Sequence, residues 1–112
     1  MKLIGETGFT LLLAAFTCLA GPRGSAHPQT FTGKISDSMC GLKHMMAGKT
    51  DKECTVECVQ MGDKYVLADE AHQKVYNLSD QAKPKAFAGQ QVKVVGTLQG
   101  DTIQVTSIRA TH

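Results

Sequence analysis

The chain has no tryptophan and few aromatic residues of any kind; beyond residue 26 only Phe31, Tyr65, Tyr76 and Phe87 remain. Modules that grip nucleic acid stack bases on aromatic rings and hold the backbone on a basic face. Beyond residue 26, ten basic residues are interspersed with nine acidic ones, so neither sign dominates and no polyanion partner is expected. Long apolar runs are missing too. The longest, Phe9 to Ala20, is about twelve residues, short of the roughly 20 that cross a bilayer as a helix, so no membrane span is expected. The sequence also lacks a nucleophile elbow, a paired-carboxylate site and a phosphate-cradling loop. Catalysis is therefore not expected, and thiol redox chemistry is the one catalytic alternative.

What is present begins with an address. Lys2, the apolar run and then "GPRGSA", with small residues at Gly24 and Ala26, form the pattern of a cleavable export signal over residues 1–26, although Glu6 is an unusual acidic residue there. Cys18 lies near the end of the apolar run but follows Thr17, where lipidation would want a small residue, so a lipid anchor is not expected. Cleavage after Ala26 leaves residues 27–112, 86 in all. They form one small domain, expected to be a periplasmic or secreted monomer. A chain of that size buries only about 60 to 65% of its unfolded surface, so a covalent or metal staple would add much to a marginal core.

Period-2 alternation predicts strands over 30–36, 64–69 and 74–78, with the last two paired as a hairpin through the polar turn "EAHQ". Thr50 with Glu53 three residues on is a capping box, and Gly62 is a C-terminal cap, so residues 51–61 read as a helix. Residues 79–89 read as a short helix or loop. "QVKVVGTL", the turn "QGD" and "TIQVTSI" form a second hairpin, with Gly96 marking a bulge or bend. The fold class expected is mainly β with one helix (α+β). A bent five-stranded barrel, its helix inserted after strand one, is the economical closure, because an open sheet would leave edges exposed.

The strand ending in "DSMCGLKH", the later "CTVECV", "KYVL" and "KVYNL", and the closing "FAGQQVKVVGTLQGDTIQVTSI" resemble a family of small secreted bacterial proteins with a domain of unknown function. Its DSxCGxxH pattern and paired cysteines fall on Asp37, Ser38, Cys40, Gly41, His44, Cys54 and Cys58. The closing segment is similar to the last strands of bacterial oligonucleotide/oligosaccharide-binding (OB) barrels. The resemblance implies an OB-like barrel and brings no established activity with it. In a usual OB barrel the helix follows the third strand, whereas here it follows the first.

Three cysteines remain beyond the signal, an odd number in an oxidising compartment where thiols tend to pair. Cys54 and Cys58 share one helix face, with Met61 a turn further on. Their Cβ atoms would stand roughly 5 to 6 Å apart, too far for the 3.5 to 4.5 Å of a disulfide. Two readings stand side by side. Cys40 bridges to Cys54 or Cys58, closing a loop worth about 3 kcal/mol in the chain-entropy model. Alternatively Cys40, His44, Cys54 and Cys58, spaced C-x3-H-x9-C-x3-C, ligate one zinc ion. With Met39, Met45, Met46 and Met61 nearby, copper in its monovalent state would suit equally. In the disulfide reading the barrel would bind an unidentified small ligand or partner protein without metal. A cut after Ala26 would also expose the amine and imidazole of His27, but Pro28 argues against a copper chelate there. His72 and His112 read as solvated.

Overall fold

The structure, a computed structural model, describes residues 27–43 and 47–111. The signal expected over 1–26, the candidate ligands His44, Met45 and Met46, and His112 lie outside the described residues.

Five strands are present: β1 (Gln29–Asp37), β2 (Tyr65–Asp69), β3 (Lys74–Leu78), β4 (Gln91–Gln99) and β5 (Thr102–Ala110), with one α-helix, α1 (Asp51–Gln60), between β1 and β2. The strands form a sheet that closes in a ring in the order β1-β2-β3-β5-β4. All neighbours are antiparallel except β3 and β5, whose short parallel pairing, Asn77 with Thr102 and Leu78 with Ile103, completes the ring.

The pleat explains the core. In β1, Phe31, Gly33 and Ile35 point inward between outward Thr32 and half-buried Lys34, as alternation requires. Phe31 and Ile35 meet Tyr65, Leu67, Leu78, Val92, Val94 and Ile103 in one cluster. Ile35, Leu67 and Ile103 are fully buried, and each such side chain contributes about 1.5 to 3 kcal/mol. The register of β4 against β5 shifts between Val95 and Gly96, so Gly96 does mark a bulge. A Cβ there would stand 2.3 Å from the Gln104 carbonyl oxygen, which leaves glycine as the residue that fits.

The helix has both expected ends. The Thr50 side chain accepts from the Glu53 N–H at 3.1 Å and the Glu53 carboxylate accepts from the Thr50 N–H at 3.2 Å. At the other end Gly62, at φ 109°, donates to Val59 and Asp63 donates to Cys58, the paired bonds of a Schellman motif. The helix stops one residue earlier than expected: Met61 is its cap, 65% exposed, and so does not continue the cysteine face. Residues 79–89 hold a short 3-10 turn, Lys83–Phe87, opened by Pro84. Before it, Gln81 accepts from the Tyr65 N–H at 2.7 Å and donates to the Tyr65 carbonyl at 3.0 Å, standing in for a strand neighbour of β2. The turn from β2 to β3 is also a 3-10 turn, Glu70–His72. There the His72 ring is mostly exposed, yet its Nδ1 lies 2.8 Å from Asp69 Oδ2, a partner that the solvated reading did not anticipate.

Candidate metal centre

The turn that leaves β1 is built by Asp37. Its Oδ1 accepts from the N–H groups of Met39 at 3.1 Å and Cys40 at 2.9 Å, while its carbonyl accepts from Gly41 at 2.8 Å. Gly41 takes φ 56°, a conformation that favours glycine. The Ser36 hydroxyl donates to the Gly41 carbonyl, and Ser38 exchanges bonds with Lys64 through its N–H and its hydroxyl. "DSMCG" is thus a turn tied down on both sides, and it carries Cys40 on a fixed backbone.

The helix supplies the other two sulfurs. The buried residues of α1 are Cys54, Thr55 and Cys58, with Val56 and Val59 partly buried against the core. A helix of this length ordinarily docks through a stripe of large apolar side chains; here the thiols occupy much of that stripe. The Sγ atoms of Cys40, Cys54 and Cys58 and a carboxylate oxygen of Asp37 all lie within 4.8 Å of one another. Cys54, Cys58 and Asp37 have no exposed surface, and Cys40 is half-buried.

Asp37 is a donor that spacing alone did not single out. Its Oδ2 is buried and has no hydrogen-bond partner among the described residues. An unpaired buried carboxylate oxygen costs at least about 1 to 3 kcal/mol, so such atoms call for an explanation. Burial pushes the Cys58 thiol up to about 12, with the Asp37 charge and the neighbouring Cys40 adding to the effect. A bound divalent cation would reverse that balance by displacing the proton and taking the thiolate.

The distances suit such an ion. Cys40 Sγ and Cys54 Sγ are 3.7 Å apart, and two sulfurs each about 2.3 Å from a tetrahedral zinc stand about 3.8 Å apart. The same 3.7 Å is well beyond the roughly 2.0 Å of a disulfide bond. Of the donor set expected from spacing, the structure brings together Cys40, Cys54 and Cys58; His44 lies outside the described residues, and the expected soft donors Met39 and Met61 are exposed.

Residues 58–111 match the family model described as a protein of unknown function, DUF5818. The match agrees with the expected kinship to an uncharacterised domain family. It takes in β2 to β5 and one site cysteine, Cys58, and leaves out Asp37, Cys40 and Cys54. No curated protein and no solved structure was found to match the chain. Among the described residues no helix is long and apolar enough to cross a membrane.

Proposed function

We propose that this protein is an exported, monomeric OB-like barrel that binds one soft metal ion and carries out no catalysis. The observation that carries the reading is the convergence of three sulfurs and a buried Asp37 carboxylate oxygen within 4.8 Å of one another. The proposed ligands are Cys40, Cys54, Cys58 and Asp37, with His44, expected from the spacing, as the alternative fourth ligand. Three sulfurs suit zinc or monovalent copper, and the harder carboxylate favours zinc. The strand order of the ring supports the OB-like description, with the helix displaced to follow β1. Export rests on the pattern of residues 1–26.

The second reading is a barrel stapled by Cys40 and Cys54 that binds a small ligand or partner protein without metal; the two sulfurs are unbonded neighbours that a short approach would join. Metal analysis and intact-mass measurement on protein purified from the exported fraction separate the two. The metal reading predicts about one zinc or copper ion per chain. A chain that is about 2 Da below the reduced mass as purified and still takes up no metal after reduction and exposure to zinc would establish the staple instead. Thiol-redox enzymology predicts insulin-reductase turnover lost in Cys40→Ser, and the proposal here predicts none in the native protein.

A further inference from the structure

The same cluster contains two incompatible chemical states, and their relation gives the site a regulation. We infer that oxidation by a small-molecule disulfide of the glutathione type joins Cys40 to Cys54 and thereby ejects the bound ion. This rests on the metal-binding reading of the site.

Accessibility selects the sulfur attacked first. Cys40 is half-buried on its turn, whereas Cys54 and Cys58 are sealed beneath the helix. The partner assigned is Cys54, whose Sγ is 3.7 Å from Cys40 Sγ, so that closure to about 2.0 Å needs a short approach of side chains on two separate elements; Cys58 Sγ also lies within 4.8 Å and is the competing partner that bond mapping tells apart. The remaining pairing within α1 is disfavoured, since Cys54 and Cys58 are one helical turn apart, with Cβ atoms roughly 5 to 6 Å from each other.

The steps balance. The Cys40 thiolate attacks one sulfur of the glutathione disulfide, forming a mixed disulfide and releasing one glutathione thiolate. Cys54 sulfur then attacks the Cys40 sulfur of that mixed disulfide and releases the second. Two electrons pass from the cysteine pair to the glutathione, and each departing thiolate takes up a proton. The ion loses two of its four donors, and the two that remain, Cys58 with Asp37 or its alternative His44, are too few for a zinc site, which takes at least three protein ligands. Loading and bridging are therefore exclusive, and an exported chain would hold its ion under reducing conditions and give it up under oxidising ones.

The test uses the full-length chain carrying Cys18→Ser, loaded with zinc and then exposed to oxidised glutathione. Zinc in solution is followed with a chromophoric chelator, and bonds are mapped after digestion with trypsin and a glutamyl protease, which cuts between Cys54 and Cys58. The expected result is near-complete zinc release in step with a Cys40–Cys54 link, with Cys58 recovered as a thiol. Cys54→Ser should stop at the glutathione adduct on Cys40. Zinc retained by the bridged protein, a Cys40–Cys58 link, or release without any link would each overturn the inference. Failure to load zinc or copper at the outset would overturn the metal reading itself, and with it this one, at a separate and earlier step.

Discussion

Cys40 Sγ lies 3.7 Å from Cys54 Sγ, one sulfur on the hydrogen-bonded turn that ends β1 and the other on the buried face of α1. That contact joins two parts of the chain fourteen residues apart in sequence. The helix also docks through partly buried Val56 and Val59 and through the Lys34–Asp51 ion pair, and an ion shared by the three sulfurs would add a further tie between β1 and α1.

Zinc should accordingly stabilise the fold. Free zinc at a hundred times its dissociation constant adds about 2.7 kcal/mol, which for a domain of this size raises the melting temperature by about 10 to 20 °C. Differential scanning calorimetry with zinc and with a chelator measures the difference; equal melting temperatures would contradict the role assigned to the cluster.

The reduced, metal-free protein should weaken in alkali. Burial pushes the Cys58 thiol from 9.0 up to about 12, so the folded state holds this proton more tightly than the unfolded chain does. Its contribution is fully present below pH 9.0 and is lost as pH rises toward about 12. Urea midpoints for the native chain and for Cys58→Ala, compared across that range, should show the extra alkaline slope only in the native chain.

Asp80 predicts the opposite sign. Its carboxylate accepts from the Lys83 and Ala82 N–H groups and from the Lys83 ammonium, with the Lys83 backbone bond the largest cause of a fall from 3.8 to about 2. The stability it adds is present above 3.8 and lost as pH falls through about 2. Asp80→Ala should flatten the acid limb of the stability profile over that interval.

Thr50→Ala should cost about 1 kcal/mol by removing the helix cap. Gly96→Ala should cost about 1 to 3 kcal/mol, since its Cβ has no space at the bulge. Chemical denaturation measures both, and a neutral Gly96→Ala would show that the bulge is not constrained as described.

Much of the fold was readable before the structure because local signals agreed with it. The capping box at Thr50 and Glu53, the glycine cap at Gly62 and the bulge at Gly96 are each decided by backbone chemistry within a few residues. The parallel closure of β3 on β5 was not readable, since no local pattern announces a pairing of Asn77 and Leu78 with Thr102 and Ile103. The site divides in the same way. Spacing located the three thiols, but Asp37 reads in sequence as an ordinary turn residue. One of its oxygens does that work; only tertiary packing reveals that the other is buried beside the sulfurs.

The most direct test is X-ray absorption at the zinc edge of the loaded protein. The account predicts three sulfur neighbours at about 2.3 Å and one oxygen or nitrogen near 2.0 Å, with Asp37→Ala altering only the light-atom shell if the carboxylate is the fourth ligand. A shell without sulfur, or with fewer than three, would contradict it.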